Sequence, residues 1–294
     1  MNVYISTNYF LMRQKVRDIF SGCKSDPCAQ SPSECPMVMN PGPIFAFASD
    51  KELGNTCFHF FCKYPNPYLS NMGVASQIYR AIIFALLESM IRARLSDMMK
   101  SKDSPFFSMG GYVSSFFGSS DINALRLNCS SRVGLEEQAY RALLSGLMEM
   151  RNAGFSEEEL DLARKAYIRS EEDCYAERNH IHNSEFSAMC FDNFIDGNPI
   201  LSEEKSSSYT IKLAKAVTLE QINQTIRSIV SGDGSNSVSL VFATQNADGT
   251  YGLTIPDASV LAQAINGEIK LYADFRKRAD ADVTHKVTMD DKTS

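Results

Sequence analysis

GFSEEELDLARKAYIRSEEDCYAERNHIHNSEFSAMCFDNFIDGNPILS, residues 154–202, is the stretch whose reading decides the fold. Ser156 followed by Glu159 has the spacing of a capping box, in which each side chain satisfies a backbone donor of the first helical turn. Glu157, Glu158 and Glu159 set negative charge against the positive end of that helix. Leu160, Ala163, Tyr167 and Cys174 keep roughly helical spacing with charges between them, so a long helix with one apolar face is expected. Gly197-Asn198-Pro199 ends it, because neither glycine nor proline continues a helix.

Upstream of this stretch, residues 135–153 carry Leu143, Leu144, Leu147 and Met148 on one helical side, with Gly154 as the C-terminal cap. Residues 111–117 and 124–130 read as strands joined by a turn over 118–121, and Leu125, Leu127 and Cys129 share one face of the second. Residues 78–100 form a helix whose wide apolar face holds Ile82, Ile83, Leu86, Leu87, Met90, Ile91 and Leu95. Before it come two strands, 44–48 and 56–64. The second sets Phe58, Phe60, Cys62 and Tyr64 against Cys57, His59, Phe61 and Lys63, so both faces are partly apolar, which suits a strand inside a sheet covered by helices. Residues 8–21 place Met12, Val16, Ile19 and Phe20 on one helical face, and a Pro/Ser/Cys-rich loop runs from 23 to 43.

Downstream, a short helix is expected over 206–214. A second, capped by Thr218, has Ile222, Ile226 and Ile229 as its stripe. A strand over 237–243, a helix over 255–266 and a strand over 268–272 follow, and the charged, aperiodic end of the chain reads as a linker. Strand, strand, helix, strand, strand, helices, strand is an α+β order: an antiparallel sheet with helices packed on one face.

The 294 residues are enough to bury roughly 75% of the unfolded chain's surface. With 44% hydrophobic and 22% charged residues, the composition is that of a soluble globular protein. A net charge of −6 argues against nucleic acid as a partner, since that is met by a basic patch. No uninterrupted apolar run reaches the ~18 residues of a membrane span, and the longest candidate, 81–90, holds Glu88. The start of the sequence mixes apolar residues with Arg13, Lys15, Arg17 and Asp18 and does not read as a secretory signal.

The opening run Gly154–Leu160, the charged helix after it and the turn Phe194-Ile195-Asp196-Gly197-Asn198-Pro199-Ile200 together resemble the insulinase/pitrilysin family of zinc metallopeptidases. Within that family they resemble the second, metal-free domain of one half. Asp50, Glu52, Lys63 and Pro65 fit the family's pattern of two strands, and the helix end Ile91–Met99 with Ser104-Pro105-Phe106 resembles its Arg-Leu end and Ser-Pro-Phe turn. The resemblance implies an organisation in three parts. Residues 1–36 would be the residual last helix and loop of a preceding catalytic domain, 37–272 the non-catalytic domain, and 273–294 a linker or tail. It implies a parent metalloendopeptidase that holds zinc elsewhere, with no cofactor in this chain. The partners would be the preceding catalytic domain, the second half of the parent and a peptide substrate. A metal-free scaffold or binding subunit related to these peptidases is the alternative. The compartment stays open between a bacterial periplasm and cytoplasm. The stripe on residues 12–20, separated from a partner domain, is expected to dock or to drive self-association.

The family's zinc motif is H-x-x-E-H, which sets two histidines one turn apart with a general base between them. The four histidines here, His59, His180, His182 and His285, do not form it. His182 and Glu185 are three apart and could share a helix face, but His180 and His182 would be about 200° apart around a helix. The expectation is a polar surface. His59 reads as a packed or edge residue of a strand. Cys23, Cys28 and Cys35 could form a zinc site, a disulfide plus one thiol, or three free thiols. Their spacing is not C-x-x-C, which favours free thiols. Glu171-Glu172-Asp173 reads as a solvated helix face. Gly110-Gly111 and Gly232-Asp233-Gly234 lack the spacing of a phosphate loop. No catalytic, cofactor-binding or metal residue is therefore expected in this chain.

Overall fold

Alternation along Cys57–Pro65 (β2) does what the sequence suggests. Phe58, Phe60, Cys62 and Tyr64 turn to one side and are buried there, while His59, Phe61 and Lys63 turn to the other. A computed structural model describes residues 9–23, 37–66, 73–119, 121–180, 182–196, 200, 202–246 and 248–250. It divides into two compact units, 1–36 and 37–294. In the first, Tyr9–Phe20 (α1) is a helix with Leu11, Val16, Ile19 and Phe20 at exposed positions. All further elements belong to the second.

The second unit adds four strands and six helices among its described residues: Ile44–Asp50 (β1), Val74–Lys100 (α2), Phe106–Ser115 (β3), Ile122–Ser131 (β4), Glu136–Asn152 (α3), Glu157–Ala176 (α4), Asn183–Asp196 (α5), Glu203–Ala216 (α6), Leu219–Ile229 (α7) and Ser237–Thr244 (β5). The strands form one sheet in the order β1-β5-β2-β4-β3. β2 pairs antiparallel with both β4 and β5, and β3 antiparallel with β4, with a register shift between Phe106 and Ser108. The α+β class stands. One edge departs from the all-antiparallel expectation, because β1 and β5 run parallel, Ile44 beside Val238 through Asp50 beside Thr244. β1 and β2 follow one another in sequence but do not pair, since the last described strand lies between them.

Helices gather on the face that carries Phe58, Phe60, Leu125, Leu127 and Cys129. α2 lies along it with Ile82, Leu86, Leu87, Met90, Ile91, Leu95 and Met98 buried. It approaches β3 at Gly111, where a Cβ would meet Leu95 Cδ1 and Leu127 Cδ2 at 3.0 Å, so the small residue sets the helix-to-sheet distance. α2 is long and apolar enough to cross a bilayer by length and composition alone. Its buried side belongs to the core, and Glu88 on it accepts the Val113 N–H (3.1 Å) and pairs with Arg92. α3 contributes Leu143, Leu144 and Leu147, and its Tyr140 hydroxyl hydrogen-bonds the buried Ser239 hydroxyl at 2.8 Å. α7 buries Ile222, Ile226 and Ile229 behind a capping box formed by Thr218 and Gln221.

The decisive stretch begins as its sequence indicates. The Ser156 hydroxyl accepts the Glu159 N–H (3.3 Å) and Glu159 accepts the Ser156 N–H (2.7 Å). Leu160 and Ala163 are buried and Tyr167 is partly so. The helix then ends at Ala176, with a turn of 3₁₀ helix over Arg178–His180 before α5 begins. Two helices replace the single long one expected. Cys174 is exposed, so the buried stripe stops before the helix does, and the chain leaves the helix through the weak helix formers Asn179 and His180. β3 starts five residues before the expected strand and ends at Ser115, with Phe116–Gly118 forming a 3₁₀ turn in place of its last residues. The expected Gly197–Pro199 stop, the helix over 255–266, the strand over 268–272 and the tail lie outside the described residues.

Candidate functional site: the open face of the sheet

The face of the sheet turned away from the helices carries a small apolar cluster of Phe61, Phe116, Ile122, Ala124 and Val238. Across it runs a cross-strand row, Val238 on β5, Phe61 on β2, Arg126 on β4 and Tyr112 on β3, set side by side by the register. Arg126 is the centre of this row. One terminal nitrogen donates to the Tyr112 hydroxyl at 2.5 Å, and the other lies 3.0 Å from His59 Nδ1. Its Cζ is 5.4 Å from the ring centroids of both Phe61 and Tyr112, a cation held between two aromatic side chains.

His59 sits two residues along β2, opposite Leu240 and Asn128, with its ring edge-on to Phe242 at 5.7 Å. Burial first, and the Arg126 charge second, hold its imidazole below the usual range. The ring is thus neutral at pH 7, and facing a guanidinium donor its Nδ1 is the acceptor, with the proton on Nε2. Lys63, buried on the same face, donates to the Val38 carbonyl at 2.8 Å and lies over the Phe116 ring at 5.4 Å. Desolvation lowers its pKa. Neither cation takes part in an ion pair among the described residues. The acidic residue that the strands place on this face is Asp50, at the end of edge strand β1.

Phe117 adds an exposed ring beside the cluster. It is 68% exposed, takes a left-handed backbone (φ 48°), and packs against Phe61 at 5.6 Å and Phe116 at 4.8 Å. A phenylalanine in that region is strained, and the aromatic contacts are what hold it there. A cleft of about 430 Å³ between the start of α2 and α6, lined by Val74, Ala75, Ile78, Lys205, Ser208 and Tyr209, is mainly apolar.

The residues weighed from sequence lie elsewhere. His180 is in the exposed 3₁₀ turn. His182 precedes α5, its carbonyl accepting the Glu185 N–H, and both side chains are exposed. Glu172 and Asp173 are exposed on α4, with Asp173 3.9 Å from Arg169. Among the described residues no three of His, Cys, Asp and Glu converge as a metal site would require. Cys23 is an exposed free thiol, and Cys28 and Cys35 lie outside the described residues. His59 is packed on a central strand rather than at an edge. Arg126 was not singled out by sequence reasoning. The inward facing of Leu125 and Leu127 implies that it points outward, but only the register brings it beside Tyr112 and His59.

No protein-family model and no curated protein matches the chain. Solved structures do. The periplasmic protease PqqL from Escherichia coli superposes with a TM-score of 0.71 at 15% identity, over 88% of this chain and 28% of that one. The fold is that of an insulinase-family peptidase domain. An insulinase family protease from Yersinia pestis gives 0.67 at 12% identity over 88% of this chain and 53% of its own. A peptidase M16 inactive domain from Pseudomonas fluorescens gives 0.53 at 12% identity over 74% and 47%. The chain thus spans about a quarter of PqqL and about half of the two shorter structures.

Proposed function

We propose that this chain is the non-catalytic domain of one half of an insulinase-type zinc metalloendopeptidase, and that its open sheet face helps enclose an unfolded peptide. The observation that carries the reading is the superposition of 88% of the chain on a 28% portion of PqqL, a protease that is larger by several such domains. The open face supports it. It is partly apolar, lies opposite the face on which the core helices pack, and presents cations with no carboxylate partner among the described residues, a surface suited to contact with an extended polypeptide. The preceding catalytic domain and the second half of the parent are the proposed neighbours, and residues 1–36 and 273–294 are proposed to join the domain to them.

Zinc belongs to the parent in this reading. Among the described residues the donors weighed for it are dispersed: His180, His182 and Glu185 are spread over a 3₁₀ turn, a helix boundary and a first helical turn, all exposed, and do not converge. No hydrolytic step is therefore assigned to these residues. Incubation of the purified chain with a quenched fluorescent peptide, with and without zinc, tests this. The expected result is binding without turnover. Cleavage that a chelator abolishes, and that His182→Ala removes, would overturn it.

A further inference from the structure

Arginines at protein surfaces commonly pair with a carboxylate, and Arg126 has no such partner among the described residues. Its Nε is shielded from solvent and has no hydrogen-bond partner among the described residues. Its two terminal nitrogens are oriented by Tyr112 and by a neutral acceptor, His59 Nδ1. Two of the five N–H donors of the guanidinium are thus occupied, and neither partner neutralises the charge. A fixed, planar, partly desolvated guanidinium with donors to spare is matched in shape and charge by a carboxylate, which it can hold through two parallel hydrogen bonds.

We propose that Arg126, braced by Tyr112 and His59 on the open face of the sheet, is a carboxylate-binding subsite for an extended polypeptide, taking an acidic side chain or a free C-terminus. Charge complementarity selects the occupant. This face carries Arg126 and Lys63 near its centre, and the described strands place one acidic residue on it, Asp50, at the edge, within a protein whose net charge is −6. A polyanion such as nucleic acid would be repelled by the remainder of the protein, whereas a single carboxylate on a peptide meets only the local cation. The apolar part of the same segment has beside it the exposed ring of Phe117, which packs on the buried Phe61. Arg126 acts here as a binding residue and takes no part in bond cleavage. The inference rests on the reading of this face as part of a peptide enclosure, and adds to it a preference in what is enclosed.

Fluorescence anisotropy with the full 294-residue chain and short unstructured peptides tests the subsite. The peptides differ only in carrying Glu or Gln at one position and a free or amidated C-terminus. The amidated Glu peptide, the free-acid Gln peptide, or both should bind about tenfold more tightly than the amidated Gln peptide, and which does so identifies the carboxylate source. The advantage should shrink as salt is raised, vanish in Arg126→Gln, and persist only in part in Arg126→Lys, which keeps the charge but loses the fork. Because the comparison between peptides is made on the unaltered protein, it does not depend on the variants folding. Equal binding of all the peptides would overturn the subsite and leave the enclosure reading standing. Failure of every peptide to bind would overturn both.

Discussion

His59 and Arg126 show how a single residue's chemistry depends on what lies across the strand. The imidazole is half-buried between Asn128 on one neighbouring strand and Leu240 on the other, with Phe242 against its ring and Arg126 as the charged group beside it. Protonation would put two cations 3.0 Å apart, so the folded state resists it. The consequence for stability has a definite sign. Above the unfolded pKa of about 6.5 both states are neutral and pH has no effect through His59. As pH falls below 6.5 the unfolded chain binds a proton that the folded chain does not, so stability drops until the lowered folded pKa is passed. Urea midpoints measured from pH 7.5 down to 5 should fall for the wild type and fall less steeply for His59→Gln, whose amide oxygen can still accept from Arg126. Parallel curves would mean that His59 is not held neutral. The alternation of β2 showed that His59 and Phe61 share a face, but not that this face lies opposite the core helices or that a cation stands on it.

Among the elements, the start of α4 carries the most information per residue. Its capping box was legible from Ser156 and Glu159 alone, because a cap is a local contact between residues three apart. The same Glu159 also receives Arg94 of α2, Nε to Oε1 at 2.6 Å, while Arg94 donates to the Gly154 carbonyl and lies over the Phe155 ring. That partnership spans 65 residues of sequence and could not be read from the helix. Asn223 of α7 closes the junction from the other side, accepting the Phe155 N–H (2.8 Å) and donating to its carbonyl (3.3 Å). Gly154 is required here twice over. Its φ is +74°, and a Cβ would come within 2.6 Å of Asn223 Oδ1. Ser156→Ala should therefore cost about 1 kcal/mol, the usual loss of an N-cap. Gly154→Ala should cost more, since about 1–2 kcal/mol of left-handed strain is joined by displacement of the amide that satisfies Phe155. Chemical denaturation orders the two, and a Gly154→Ala loss no larger than that of Ser156→Ala would contradict this account of the junction.

Over the whole molecule, strand order is the feature that matters most and shows least in the sequence. β5 lies between β1 and β2, hydrogen-bonded on both sides, while β1 is an edge of the sheet that the described strands form. Ala46 and Leu240 are partners in the parallel ladder, so a proline at each compares an edge with an interior strand in one place. Leu240→Pro should cost at least about 3 kcal/mol or prevent cooperative unfolding, and Ala46→Pro much less, because an edge strand has ladder bonds on one side only. Equal losses would place β1 and β5 differently. The sequence by itself determined the strands and helices with strong period-2 or period-3.6 patterns, the capping box at Ser156, the cap at Thr218 and the core-facing stripe of the helices that pack on the sheet, since each follows from contacts between residues a few positions apart. Tertiary structure alone decided the insertion of β5, the parallel edge it creates, the break after Ala176, and the row that sets Arg126 between Phe61 and Tyr112. These depend on which distant surfaces meet, and local periodicity is the same whichever neighbour a strand acquires.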